Sequence, residues 1–261
     1  MVQSSSQSRL QAIFQATLAA FAFLTRLPTA GAGASVRDAD LGRSVAAFPV
    51  VGLVLGLALA ALGYGLHSRL PPLLLAVFVV ALLGALTGGL HLDGFADVFD
   101  AVGGGRGDRA RMLAIMRDSR IGAHGAAALV LLILAKVFAA AHAIERADYV
   151  ALLAFPAIGR WTAVPLIVLF PYARREGMGR AFQGGAGRTQ LAIAAAVMTI
   201  ILVALGGRLV LPTLAATAGA LAFGLWMRRR LGGLTGDVYG AAIESAEVIV
   251  LTVMAIFPSG R

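Results

Sequence analysis

The chain contains no cysteine, so disulfides, thiolate catalysis and cysteine-based metal sites are excluded. Charge is scarce too. Asp, Glu, Lys and Arg make up 13% of the 261 residues, about half the share of a soluble domain. Carboxylates are the scarcer sign, 13 against 22 basic residues. Strand-like alternation of apolar and polar residues is missing, which excludes a transmembrane β-barrel. Met1–Arg9 is rich in Ser and Gln, and no small-residue cleavage site follows a short apolar core, so no secretory signal is expected.

What the chain has instead is long uncharged runs. Ser44–Ser68, Leu70–Leu92, Thr189–Gly207 and Leu209–Met227 contain no Asp, Glu, Lys or Arg. A helix needs about 20 apolar residues to cross the hydrocarbon core. The sequence therefore predicts an all-α, polytopic integral membrane helical bundle, one transmembrane domain over residues 1–261. Seven spans are expected near 45–66, 72–92, 123–143, 149–170, 189–206, 209–227 and 238–257.

Arginine sets the orientation. With those spans, the loops around 26–44, 93–122, 171–188 and 228–237 share one side. They hold fifteen arginines, including Arg37 and Arg175, while the other side holds Arg69, Arg146, Arg208 and Arg261. Basic residues favour the cytoplasmic face, so the arginine-rich side is expected inside. The same reasoning reads the net charge of +9 as membrane anchoring rather than nucleic-acid binding. Residues 10–27 differ from the spans. Leu10, Phe14, Leu18 and Phe21 share one helical face and Gln11, Gln15 and Arg26 another, which predicts an amphipathic helix lying in the interface. An eighth span is the alternative.

The carboxylates are unevenly spent. Asp93, Asp97 and Asp100 fall within eight positions, just where an apolar run ends. At 100° per residue a helix would present all three on one face. Such an array persists if it is protonated, paired with arginines or bound to a divalent cation. Oxygen-only ligands favour Mg²⁺ or Ca²⁺, and Mg²⁺ held by carboxylates usually also holds substrate phosphates. The competing reading is a solvated helix end with the aspartates as caps. Around the stripe the same face is rich in arginine and glycine. Residues 101–122 carry three consecutive glycines and then Arg117, Asp118, Ser119 and Arg120; 171–185 supplies Arg174; and 228–237 runs through glycines into Asp237 at a helix start. Arginine forks and exposed helix-terminal amides suit phosphate.

Charges also lie inside expected spans. Arg160 and Glu247 are both roughly 15 Å from the arginine-rich side, which predicts a structural ion pair. Glu244, two turns beyond Asp237, is placed to reach a metal at the mouth. Lys136 is expected to snorkel toward the opposite interface. Of four histidines, His91 precedes the aspartates and is the candidate general base; His67, His124 and His142 sit at helix ends.

Several stretches together are similar to a known family. "FLTRLP" (23–28), "FPVVGLVLG" (48–56), "GGLHLDGFADVFDAVGGG" (88–105), "RMLAIMRDSRIGAHGA" (111–126), "GRW" (159–161), "PYAR" (171–174) and "GGLTGDVYGAAIESAE" (232–247) resemble, in order, the cobalamin synthase or adenosylcobinamide-GDP ribazoletransferase family. The resemblance implies an Mg²⁺-dependent enzyme of the bacterial inner membrane with its site on the cytoplasmic face. It implies joining of adenosylcobinamide-GDP to α-ribazole or its 5′-phosphate, with release of GMP. The expected catalytic residues are His91, Asp93 and Asp97. The expected metal ligands are Asp93, Asp97, Asp100, Asp118, Asp237 and Glu244. Arg117, Ser119, Arg120, Arg160 and Arg174 are expected on substrate phosphates. Where the family pattern has Ala-Asp-Gly, this chain has Phe99-Asp100-Ala101, which sets Asp100 behind the other two aspartates. Membrane lipid is an expected partner, nucleic acid is not, and a second copy of the chain or another enzyme of the same pathway is left open.

Two rival readings share the pattern. A CDP-alcohol phosphotransferase also splits a nucleotide diphosphate in a membrane, but the residues after Asp93-Gly94 do not follow its motif. A transporter would use Arg160, Glu244 and Glu247 as an ion path.

Overall fold

The structure is a computed structural model and describes residues 2–29, 38–174 and 178–257. Arg37, Arg175 and Arg261 of the arginine count lie outside the described residues, as does the Leu10 side chain. Among the described residues twelve α-helices follow one another: α1 Val2–Leu24, α2 Asp38–Ser44, α3 Phe48–Leu66, α4 Pro72–Thr87, α5 Leu90–Gly104, α6 Arg109–Ile115, α7 Ala123–Glu145, α8 Tyr149–Leu169, α9 Met178–Gly185, α10 Arg188–Leu205, α11 Val210–Leu231 and α12 Gly236–Ile256. No strand occurs among the described residues; one isolated bridge joins Tyr172 and Leu234.

Among the described residues six helical stretches are long and apolar enough to cross a membrane: Leu41–Leu66, Ala123–Glu145, Tyr149–Leu169, Arg188–Leu205, Gly207–Leu231 and Gly236–Ile256. They match six of the seven expected spans to about a turn at either end. The seventh, expected at 72–92, is interrupted. Gly88 and Gly89 both take left-handed backbone, with φ of 64° and 72°, and α5 leaves α4 at 93°. His91 and the aspartates therefore sit on a separate helix, not at the tip of a continuous span. Within α1 the stretch Gln11–Leu24 is an apolar helix of about 21 Å. Its buried face is Ala16, Ala19, Ala20 and Leu24, while Phe14, expected on the apolar face, is exposed. Small alanines let α1 pack closely on α2 and α3.

α8 is the core helix, buried along most of its length between α3 and α12. Close approach to α3 requires Gly52 and Gly56: a methyl on either would run into the carbonyl of Pro156 or of Leu153. This is small-residue packing as used between membrane helices. α5 is held against the first turns of α12 in the same manner, Gly94 on the Asp237 backbone and Gly240 on that of His91.

The loops assigned to a common side do meet. At one end, Ala173 N–H donates to Leu234 O (2.7 Å), Arg109 donates to Leu231 O (2.6 Å) and Ala173 O (3.3 Å), and Arg174 to Met116 O (3.3 Å). At the other, Arg208 and Asp148 form an ion pair of 2.6 Å.

The charges within the spans form a closed network. Lys136 Nζ lies 2.5 Å from both Glu244 Oε2 and Glu247 Oε2, and Glu247 Oε1 accepts from Arg160 Nη1. Lys136 is 2% exposed, Glu244 4%, and Arg160 and Glu247 0%. Two cations and two anions leave no net charge. The expected Arg160–Glu247 pair is present, but three expectations are corrected. Lys136 does not snorkel, because two carboxylates hold it in the interior. Glu244 is spent on Lys136 and is no metal ligand at the mouth. Arg160 is sealed against Glu247 and cannot reach a substrate phosphate. A continuous ion path through these residues is equally at odds with their burial and mutual pairing.

Candidate active site

α5 is amphipathic: Phe95, Ala96, Val98 and Ala101 face the bundle, and Asp93 and Asp97, one turn apart, face outward. They line a cavity of about 430 Å³, into which the α4–α5 break also opens through Gly88 and Gly89. Arg26, Ser119 and Arg120 line it as well. Asp93 is exposed and Asp97 half-buried, and among the described residues neither carboxylate accepts a hydrogen bond or forms an ion pair. Asp97 feels the like charges of Asp93 and Asp237 and is opposed by Arg174.

The third aspartate of the stripe has another task. Asp100 is buried, and its carboxylate accepts from the backbone N–H of Gly122 (2.7 Å) and of Gly125 (2.8 Å), at the start of α7. Gly122 itself offers no side-chain cap, so Asp100 satisfies the helix's open amides from across the interface. Each of its oxygens accepts one of these bonds, so in this structure Asp100, expected as a metal ligand, acts as a helix cap. Gly122 and Gly125 are glycines for the same reason: a methyl on either would strike this carboxylate.

Asp118, also expected as a metal ligand, is engaged with a neighbouring arginine in this structure. It lies at the surface and grips the Arg120 guanidinium, Nη2 at 2.6 Å and Nε at 3.0 Å, which pulls its carboxyl down to about 2. Its effect on the cavity is to fix Arg120 at the rim. Asp237 accepts from Arg174 (2.7 Å) and from Thr235 Oγ1 (3.2 Å), so Arg174 is engaged with a carboxylate rather than lining the large cavity. Arg117 is exposed and lines neither that cavity nor the smaller one behind it. The glycine-rich stretches read as phosphate loops mostly serve packing. Gly103 lies against the His124 ring, Gly105 against Met112, and Gly233 against the 171–173 backbone.

His91 is 3% exposed, and its Nδ1 is 3.4 Å from Arg160 Nη2. A guanidinium can only donate, so Nδ1 is the acceptor and the neutral ring carries its proton on Nε2. In this arrangement His91, the expected general base, presents a donor. Arg26 is the residue the sequence reading undervalued: it was counted for topology, yet it lines the cavity.

Among the described residues no three His, Asp or Glu side chains are gathered closely enough to hold a metal ion. Two unpartnered carboxylates facing an open cavity nevertheless suit Mg²⁺. This ion keeps several waters and is commonly held by one or two carboxylates together with substrate phosphates.

The model of the family described as cobalamin-5-phosphate synthase matches residues 16–255. Among similar proteins, the adenosylcobinamide-GDP ribazoletransferase of Geotalea daltonii is 43% identical over 225 residues, covering 84% of this chain and 89% of its own. Those of Roseiflexus sp. and Klebsiella pneumoniae strain 342 are each 40% identical over 240 residues, covering 91% and 89% of this chain and 88% and 96% of their own. No solved structure matches. A family match over nearly the whole chain, enclosing both the aspartate helix and the core helix, shows that the chain belongs to the cobalamin-5-phosphate synthase family.

Proposed function

We propose that the chain is an adenosylcobinamide-GDP ribazoletransferase that depends on Mg²⁺ and works at the cytoplasmic face of a bacterial inner membrane. The observation that carries the reading is the pair of unpartnered carboxylates, Asp93 and Asp97, facing a cavity rimmed by Arg26 and Arg120. A diphosphate needs both signs: carboxylates for its cation and guanidinium forks for its oxygens.

In this reading the diphosphate of adenosylcobinamide-GDP enters the cavity. Arg26 and Arg120 bind its non-bridging oxygens, with Ser119 as a further donor. About 430 Å³ is at the small end for ligand cavities. It suits a diphosphate and part of a nucleotide, and leaves the corrin ring at the mouth. Asp93 and Asp97 would hold Mg²⁺, which supplies charge neutralisation for the diphosphate and the leaving group. A ribose hydroxyl of α-ribazole or its 5′-phosphate forms the new bond to the phosphorus next to cobinamide. The bond from that phosphorus to the bridging oxygen breaks, GMP leaves with that oxygen, and the hydroxyl proton passes to Asp93 and on to solvent. The arginine excess on the loops at this end supports a cytoplasmic site.

The test is product identification. Detergent-purified protein incubated with adenosylcobinamide-GDP, α-ribazole and Mg²⁺ should release GMP and form the joined corrinoid in equal amounts. Release of GDP, or no conversion, contradicts the reading.

A further inference from the structure

Behind the large cavity lies a second chamber of about 90 Å³, between α1, α3, α5, α8 and α12. Leu90 and Asp93 line both. The chamber contains two polar groups with nothing to bond to. His91 Nε2 and the Tyr239 hydroxyl are buried without a hydrogen-bond partner among the described residues, on residues 3% and 6% exposed. Both residues line the chamber. Leaving a buried polar atom unpaired is costly, so two of them at one small chamber call for a ligand or for water that a ligand can displace.

The surroundings say what the ligand is. The walls are apolar, Phe23, Leu24, Phe48, Ala163 and Ile243 among them, and no arginine or lysine lines the chamber. Asp93 and Asp237 stand at its edge and would repel an anion. The unpartnered groups are a neutral N–H donor, fixed as such by Arg160, and a phenol that can donate or accept. A phosphate is therefore excluded on charge, and a neutral hydroxyl matches. The volume admits roughly three waters, or one edge of a sugar ring.

Resting on the reaction proposed above, we infer that this chamber is the acceptor subsite. In it His91 Nε2–H and the Tyr239 hydroxyl bind a sugar hydroxyl edge of the incoming nucleoside and turn it toward the diphosphate in the adjoining cavity. The two substrates are sorted by charge: the anionic donor goes to the chamber with arginines, the neutral sugar to the chamber without. Asp93, common to both, marks the junction.

Two substitutions test this. Tyr239→Phe removes a hydroxyl that bonds no protein group, so the fold loses no internal hydrogen bond. His91→Asn keeps an acceptor near the position of Nδ1 for Arg160 and deletes Nε2. With each substrate varied in turn, either variant should raise KM for α-ribazole about tenfold, the worth of one well-made hydrogen bond, and leave KM for adenosylcobinamide-GDP within about twofold. If the chamber holds only water, Tyr239→Phe leaves both KM values unchanged; if the residues act only through packing, both rise together. Either result overturns the inference. The outcome stays separate from the reaction itself. Wild-type protein that releases no GMP refutes the reaction, whereas active wild type with an unselective Tyr239→Phe refutes only the subsite. Should His91→Asn fail to fold, Tyr239→Phe alone decides.

Discussion

In the interior, Glu244 and Glu247 meet Lys136 and Arg160, and every charge is answered. At the cavity, Asp93 and Asp97 stand one turn apart on α5, and among the described residues neither meets a cation. The two regions use the same chemistry in opposite states. Burying charge is tolerable only when it is paired and hydrogen-bonded, so the interior set is committed to holding α7, α8 and α12 together. Like charges side by side at an open cavity repel each other, and their presence makes sense through what they attract. A further cation, Arg174, stands close enough to act on Asp97 but donates to Asp237 and to Met116 O instead. The cavity carboxylates thus keep their binding capacity.

The largest expected effect follows from that contrast. Asp93→Asn and Asp97→Asn preserve shape, remove the charge that attracts the cation, and relieve the repulsion along α5. GMP release should fall roughly a thousandfold, about 4 kcal/mol of transition-state stabilisation, while the unfolding temperature holds or rises. In the interior the pattern reverses. Glu247→Ala strands Lys136 and Arg160 beside one remaining carboxylate and should cost about 3 kcal/mol in denaturant unfolding. Arg160→Met combined with Glu247→Leu leaves Lys136 and Glu244 as a balanced pair and should be far better tolerated than either change alone. A double variant less stable than both singles would show that these residues are not coupled through charge.

Between the two regions stands Asp100, on the acidic stripe but acting as a cap. Asn can accept through one oxygen only, so Asp100→Asn forfeits one of the two bonds to the start of α7. It should cost about 2 kcal/mol in stability, with KM for Mg²⁺ unchanged. A raised KM for Mg²⁺ would return Asp100 to the metal. The smallest effect is expected at Asp118. Its carboxyl is held near 2 by Arg120, below the ordinary 3.8, so the pair is intact above about pH 4 and is lost as the pH falls through about 2. Asp118→Asn should raise KM for adenosylcobinamide-GDP only two- to threefold at neutral pH, as suits an exposed pair, and leave the unfolding temperature alone. A loss as deep as that of Asp97→Asn would place Asp118 at the metal after all.

These particulars show what the sequence could convey. Spans are legible because crossing hydrocarbon takes about 20 apolar residues, whatever the tertiary structure. The break at Gly88–Gly89 was hidden because glycine carries no charge and the apolar run continues through it to Leu92. The stripe at Asp93, Asp97 and Asp100 was visible as a periodicity, but its division was not. What separates Asp100 from the others is a pair of amides at 122 and 125, brought to it only by folding. A signal was available there, since Gly122 and Gly125 at the start of a long helix leave room for an anion from outside that helix. Lys136 was misread for the same reason: its partners lie 108 and 111 residues away, on α12. Arg26 stood inside a quoted motif, but its path to the cavity depends on α1 reaching the α4–α5 break, where its backbone N–H bonds Leu86 O at 2.7 Å.

The most direct test of the account is metal binding itself, measured without turnover. Calorimetric titration of Mg²⁺ into the detergent-purified protein, with adenosylcobinamide-GDP present and α-ribazole withheld, should show one saturable class of sites. That binding should be lost in Asp97→Asn and unaltered in Asp100→Asn. Equal Mg²⁺ binding by wild type and Asp97→Asn would contradict the assignment of the open carboxylates to the cation.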